Sequence, residues 1–123
     1  MTDRKTVIEY CSAFPHSYED YPFHDLNWTV MRRRDTTKGF AWIFEKDGKL
    51  WLNIKINPDW GRYFKDVYPH SVLPAYHMNK KHWVSVILDG TVRENDVKKM
   101  ISESHKLCGK GAKFESKENL SRR

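Results

Sequence analysis

Apolar positions recur at helical spacing near both ends of the chain and at alternate positions between them. Val7, Ile8, Cys11 and Phe14 fall on one stripe, with Thr2 or Asp3 placed to cap it and Pro15 to stop it, which predicts a helix over residues 2–14. Residues 18–25 mix Tyr, Asp, Pro and His without a period. Residues 28–34 read as a strand that ends at the Asp35-Thr36-Thr37-Lys38-Gly39 turn. A hairpin follows: residues 40–46 and 49–56 are joined by Asp47-Gly48, a pair that accepts the positive φ of a two-residue loop.

Asn57 is placed to cap a short helix with Pro58 in its first turn, and Trp60, Tyr63, Phe64 and Val67 have the spacing of a buried face. Residues 68–79 carry Pro69 and Pro74 and resist regular structure, whereas residues 82–88 alternate and stop at Asp89-Gly90. Thr91 and Glu94 form a capping-box pattern ahead of Val97, Met100, Ile101, Ser104, Leu107 and Cys108, with Gly109 just past the end. The order is therefore α-β-β-β-α-β-α. It predicts an α+β fold, a four-stranded, mostly antiparallel sheet with helices mainly on one face.

A length of 123 residues, 39% of them hydrophobic, suits one compact domain, expected over residues 1–109, and excludes the composition of a disordered chain. No apolar run is long enough to cross a bilayer and no signal core follows the N-terminus, so a soluble, cytoplasmic protein without membrane contact is expected. The net charge is +6, and half of that excess sits from Lys110 onward, where five basic residues face two acidic ones. Residues 110–123 are expected to form a basic, disordered tail.

Strand alternation puts Leu50, Leu52, Ile54 and Ile56 on one face of their strand and leaves Trp51, Asn53 and Lys55 on the other, expected to be exposed. Trp83 and Ser85 fall opposite the core positions Val84, Val86 and Leu88, so two tryptophans share an outer face. Phe40, Trp42 and Phe44 alternate with Ala41 and Ile43, and a strand apolar on both sides needs its outer face covered, for which residues 68–79 are available, or used for binding. Aromatic planes beside Lys55 and the run Arg32-Arg33-Arg34 are the parts of a nucleic-acid surface.

Other chemistries find less support. The six histidines lack the spacing and carboxylate or cysteine partners of a metal centre. Cys11 and Cys108 sit on core stripes, Ser85 lies within a strand, and the glycine loops that cradle phosphates are missing. No catalytic residue, metal or cofactor is assigned.

The segment His77-Met78-Asn79-Lys80-Lys81-His82-Trp83, running on into 84–90, resembles the signature of the MmcQ/YjbR family. Asp20-Tyr21-Pro22-Phe23, Gly39-Phe40-Ala41-Trp42, the strand 50–55 and the approach 68–76 are similar to the same family in the same order, across residues 5–107. The resemblance implies a CyaY-like fold, a bacterial source and DNA binding, the last by analogy of fold. Its motif falls on His77, Asn79, Lys80, His82 and Trp83, with Lys55 on the neighbouring strand. Frataxin-like iron binding is disfavoured because it uses an acidic ridge, and the first helix here carries only Asp3 and Glu9. A purely structural role fits the motif equally: Asn79 would satisfy loop backbone groups and Trp83 would cover the sheet.

The resulting expectation is a monomeric, non-enzymatic DNA-binding domain, with Arg32, Arg33, Arg34, Lys55, Lys80 and Lys81 on phosphates and Trp51 or Trp83 stacking on bases. The alternative is a protein or small-ligand interaction module that uses His77, Asn79, His82 and the pocket between residues 68–83 and the sheet. An enzyme dependent on His77 or His82 is the third reading.

Overall fold

The computed structural model describes residues 1–112. Along the chain run α1 (Arg4–Ser12), β1 (Ser17–Asp20), β2 (Thr29–Arg33), β3 (Gly39–Lys46), β4 (Lys49–Lys55), α2 (Pro58–Val67), β5 (Val72–Pro74), β6 (Trp83–Ile87) and α3 (Glu94–Leu107). The strands form one six-stranded sheet in the order β1-β2-β3-β4-β6-β5, with every neighbouring pair antiparallel. The fold class is α+β, but the four-stranded sheet expected from the sequence gains β1 and β5. Both are edge strands of four and three residues. An edge strand pairs on one side only and needs neither a long alternation nor freedom from proline, so Pro74 ends β5 without breaking the ladder.

The local signals explain most boundaries. Asp3 caps α1 through the Thr6 amide, and Asn57 caps α2 through the Asp59 amide with Pro58 at the first position. Asp47 and Gly48 both take positive φ, 54° and 74°, as a tight hairpin between β3 and β4 requires. The capping box expected before α3 does not form. Arg93 is the N-cap residue, Thr91 bonds Asp89 instead, and Glu94 pairs with the N-terminal ammonium at 3.1 Å.

The helices contribute Val7, Cys11, Phe64, Val97, Met100 and Ile101 to one core with Met31, Ala41, Ile43, Leu52, Ile54, Val84 and Val86 of the sheet. The face expected on α2 is only partly buried: Phe64 is inside, whereas Tyr63 and Val67 are exposed. Ser104 of α3 enters the sheet itself. Its hydroxyl accepts the Lys55 amide at 2.8 Å and donates to the Phe40 carbonyl at 2.6 Å, bridging β3 and β4 where their direct pairing ends at Ala41 and Ile54.

The opposite face carries a second cluster, Phe44, Trp51 and Ile87, with Trp28 and Leu73 packed against it. Trp51 and Asn53, expected to be exposed, are buried. Leu73 and Tyr76 from the 68–79 stretch, together with Trp28, cover this face, which is why a strand apolar on both sides is stable here. The basic tail lies, from residue 113 onward, outside the described residues. No helix among the described residues is long and apolar enough to cross a membrane.

Candidate functional site

The helix-free face leaves an aromatic cleft open. Phe23, Asp25, Trp28, Trp42, Tyr76, His77 and Met78 line a volume of about 430 Å³. Phe23 lies 6.2 Å from Trp28 and 6.4 Å from Trp42 between ring centroids, while Trp28 stacks on Phe44 at 4.2 Å. Tyr76 stacks on the same Phe44 at 5.7 Å, and His77 lies against Tyr76 at 3.9 Å. His77 takes a left-handed φ of 61°, which is uncommon outside glycine and turns the chain at the cleft wall.

Each wall is held by a polar clamp. For the 75–78 wall, buried Asn53 donates from Nδ2 to the Tyr76 carbonyl at 2.8 Å, and buried Ser85 accepts the Tyr76 amide at 2.8 Å while donating to Asn53 Oδ1. Both backbone groups of Tyr76 are thus paired to two side chains in the middle of the sheet. Buried polar groups demand partners, so these two strand positions specify where the loop sits.

For the 23–28 wall, Asn27 accepts the Glu45 amide at 2.8 Å and donates to the Glu45 carbonyl at 3.0 Å, completing the ladder where β2 has not yet begun. Arg4 of α1 bonds the Asn27 carbonyl at 2.7 Å, Thr29 Oγ1 at 3.0 Å and the Ile43 carbonyl at 3.2 Å. Asp25 accepts the Asn27 amide at 2.8 Å, which folds the turn ahead of Trp28.

The residues expected to contact nucleic acid differ in exposure and in their partners. Arg32 is bonded to Asp20 at 2.7 Å and to the Thr37 carbonyl at 3.0 Å, and its guanidinium lies 5.8 Å from the Trp42 ring centroid. Arg33 is turned inward, pairing with Asp35 at 2.9 Å and with the His105 carbonyl at 2.9 Å. Arg34 is exposed, with its guanidinium 4.9 Å from the Tyr18 ring.

Trp51 is 8% exposed and its indole donates to the Lys46 carbonyl, so its buried faces are not offered for stacking. Trp83 is half-buried against the helix-side core rather than on a shared outer surface with Trp51. Lys55 is half-buried; Lys80 and Lys81 are exposed.

Of the motif residues, His77 reaches the cleft, whereas Asn79 organises the turn by accepting the Lys81 and His82 amides at 2.9 and 3.2 Å. The His82 carbonyl accepts the Ile56 amide at 2.8 Å, and burial, with Lys81 and Lys55 nearby, holds the His82 imidazole below its usual pKa.

Neither cysteine is placed as a nucleophile. Burial pushes the Cys11 thiol up to about 12 and raises Cys108 as well. Among the described residues no group of three or more His, Cys, Asp or Glu is arranged to hold a metal ion. A second cavity of about 240 Å³ lies between α2 and α3, lined by Ile56, Trp60, Phe64, Lys99, Met100 and Glu103.

Sequence reasoning left out Phe23, Asp25, Trp28, Tyr76 and Met78 as site residues. The signal was the two-sided apolar character of β3 together with polar Asn53 and Ser85 in otherwise apolar strands. Such residues, opposite each other in register, point to something docked on that face.

Fold and cleft together define a small α+β domain with helices on one side of an antiparallel sheet and an aromatic cleft on the other. The chain belongs to the YjbR family, whose model matches residues 12–107. It is 34% identical over 96 residues to the uncharacterized protein YbdF of Escherichia coli O157:H7, covering 75% of this chain and 78% of that one. It is 25% identical to the uncharacterized protein YyaQ of Bacillus subtilis, over 87% of this chain and 98% of that one. Among solved structures, protein DR2400 of Deinococcus radiodurans superposes with a TM-score of 0.81 at 30% identity, covering 98% of this chain and 89% of that one. A Pseudomonas syringae protein shares the fold with a TM-score of 0.73 at 23% identity, over 87% and 99%.

Proposed function

We propose that this YjbR-family chain is a binding domain, not a catalyst, and that it takes its ligand in the cleft between the 23–28 and 75–78 walls. The observation that carries the reading is the pair of polar clamps. Buried Asn53 and Ser85 of β4 and β6 on one side, and half-buried Arg4 of α1 and Asn27 on the other, fix the segments whose rings face the opening. Preorganised rings bind at lower entropic cost than mobile ones, and an apolar cleft with a few fixed polar groups is the usual form of a small-ligand site.

Titration of the full chain with ring-bearing and cationic fragments, followed by two-dimensional NMR, tests this. Shifts centred on the Trp28 and Trp42 indoles and the Tyr76 and Met78 amides support it. Binding confined to the groove between α2 and α3 would contradict it.

DNA binding is the second reading, favoured by the exposure of Arg34, Lys80 and Lys81. In that form the contacts are to phosphate alone, since Arg32 and Arg33 are engaged internally and Trp51 is buried. Affinity for a short duplex would then fall steeply with salt and weaken in the Lys80→Ala, Lys81→Ala double variant. Affinity indifferent to both removes this reading.

A further inference from the structure

The chemistry of the cleft lining narrows the ligand class. Four aromatic rings and the Met78 thioether make it apolar and polarisable, and the lining carboxylate is Asp25. Asp25 uses Oδ1 to accept the Asn27 amide, an interaction that holds it at the turn beside Trp28.

Aromatic faces carry negative potential and attract cations, most strongly where water is displaced. The rings of this site already do so at its margins. The Arg32 guanidinium lies 5.8 Å from the Trp42 centroid, and the Lys46 ammonium lies 5.3 Å from that of Tyr76. Each of those cations has its own carboxylate, Asp20 at 2.7 Å and Asp47 at 2.8 Å, so its charge is locally offset.

Resting on the cleft being the binding site, we propose that it takes a methylated ammonium head group, as in choline. Phe23, Trp28, Trp42 and Tyr76 would surround it, with Asp25 as counter-charge. A bare ammonium is strongly hydrated and needs hydrogen-bond acceptors that this aromatic lining does not supply in number. Methylation removes that demand and presents polarised C–H groups to the ring faces.

A neutral planar ligand would engage the rings but gain nothing from the Asp25 charge. An anionic one would meet it as a like charge.

The test is titration of the full chain with choline and with 3,3-dimethylbutan-1-ol, its uncharged isostere, read by tryptophan fluorescence and the indole NMR signals. Choline is expected to bind about tenfold or more tightly than the alcohol. Asp25→Asn, which retains an oxygen for the Asn27 amide, is expected to close most of that gap. Phe23→Leu, at a position 48% exposed, should weaken choline severalfold while the chain stays folded by circular dichroism.

A trimethyllysine peptide carries the same head group. Tighter binding by the peptide assigns the ammonium to a protein partner, tighter binding by choline to a free metabolite, and both outcomes support the proposal. Equal binding of choline and the alcohol, or binding of adenosine 5′-monophosphate without choline, overturns the cation assignment and leaves the cleft as a binding site. Failure of all these probes to perturb the indoles overturns both.

Discussion

Asn53 and Ser85 lie opposite each other in the register of β4 and β6, are both fully buried, and spend their hydrogen bonds on the backbone of Tyr76. The pair converts two polar positions in the sheet interior into a fixed aromatic wall. Removing the Ser85 hydroxyl leaves the Tyr76 amide and Asn53 Oδ1 short of a partner. Ser85→Ala is therefore expected to cost about 1–3 kcal/mol in urea denaturation and to speed hydrogen exchange at Tyr76. Wild-type exchange at that amide would show that the clamp is not what holds the wall.

Ser104 provides a comparable bridge on the helix side, between the Lys55 amide and the Phe40 carbonyl. Ser104→Ala strands both groups in a buried place, so a loss of about 1–3 kcal/mol is expected. Exchange should accelerate at Lys55 while amides of the β3–β4 hairpin end stay protected. Uniform acceleration across the sheet would instead indicate a global effect.

Gly39 is required by packing. A Cβ there would meet Val30 Cγ1 at 2.6 Å and Trp42 Nε1 at 2.8 Å, and the Trp42 indole is tied to the Gly39 carbonyl at 3.2 Å. Since Val30 is fully buried, the Trp42 ring must give way. Gly39→Ala is expected to destabilise the fold by about 1–3 kcal/mol and to shift tryptophan emission. Unchanged emission with unchanged stability would contradict the packing account.

His105 is buried against Phe14 and Phe40, with Nε2–H donating to the Pro15 carbonyl at 2.8 Å and Nδ1 facing Arg33 at 3.3 Å. Burial, followed by the Arg33 charge, holds its pKa below the ordinary 6.5, against the opposing pull of the Pro15 bond. Above that value neither state is protonated and the stability is intact. As pH falls through it, the unfolded chain takes up the proton first, and stability drops until the lower folded pKa is passed.

His82 is displaced the same way. The melting temperature should therefore fall between about pH 7 and pH 5, above the range where the low-lying carboxylates Asp35 and Asp89 titrate. His105→Gln should flatten part of the slope. A slope identical to wild type would assign the dependence elsewhere.

Helices and long strands were legible because each buries one face of a regular period: Val97, Met100, Ile101 and Ser104 on α3, and Leu52 and Ile54 on β4, behave as their spacing requires. The edge strands were not, since β1 and β5 are short and paired on one side. The site was legible only as a question. Trp42 and Phe44 showed that the outer face must be covered or used, and His77 was marked by the family motif. Which rings converge, however, depends on where a loop docks, and loop placement follows from pairings such as Asn53 with Tyr76 that have no period in sequence. The pairing of the arginine run was hidden for a related reason: adjacent strand residues point to opposite faces, and Arg32 and Arg33 each pair with a carboxylate, Asp20 and Asp35.

The central claim is that ligand binds at the cleft rather than at the exposed basic side chains. The most direct measurement follows the Trp28 and Trp42 indole signals and the backbone amides by NMR while choline, and separately a short DNA duplex, is added to the full chain. Choline is expected to move both indoles together with Tyr76, His77 and Met78, and DNA to leave them in place. Unmoved indoles under choline, with shifts under DNA at Arg34, Lys80 and Lys81, would contradict it.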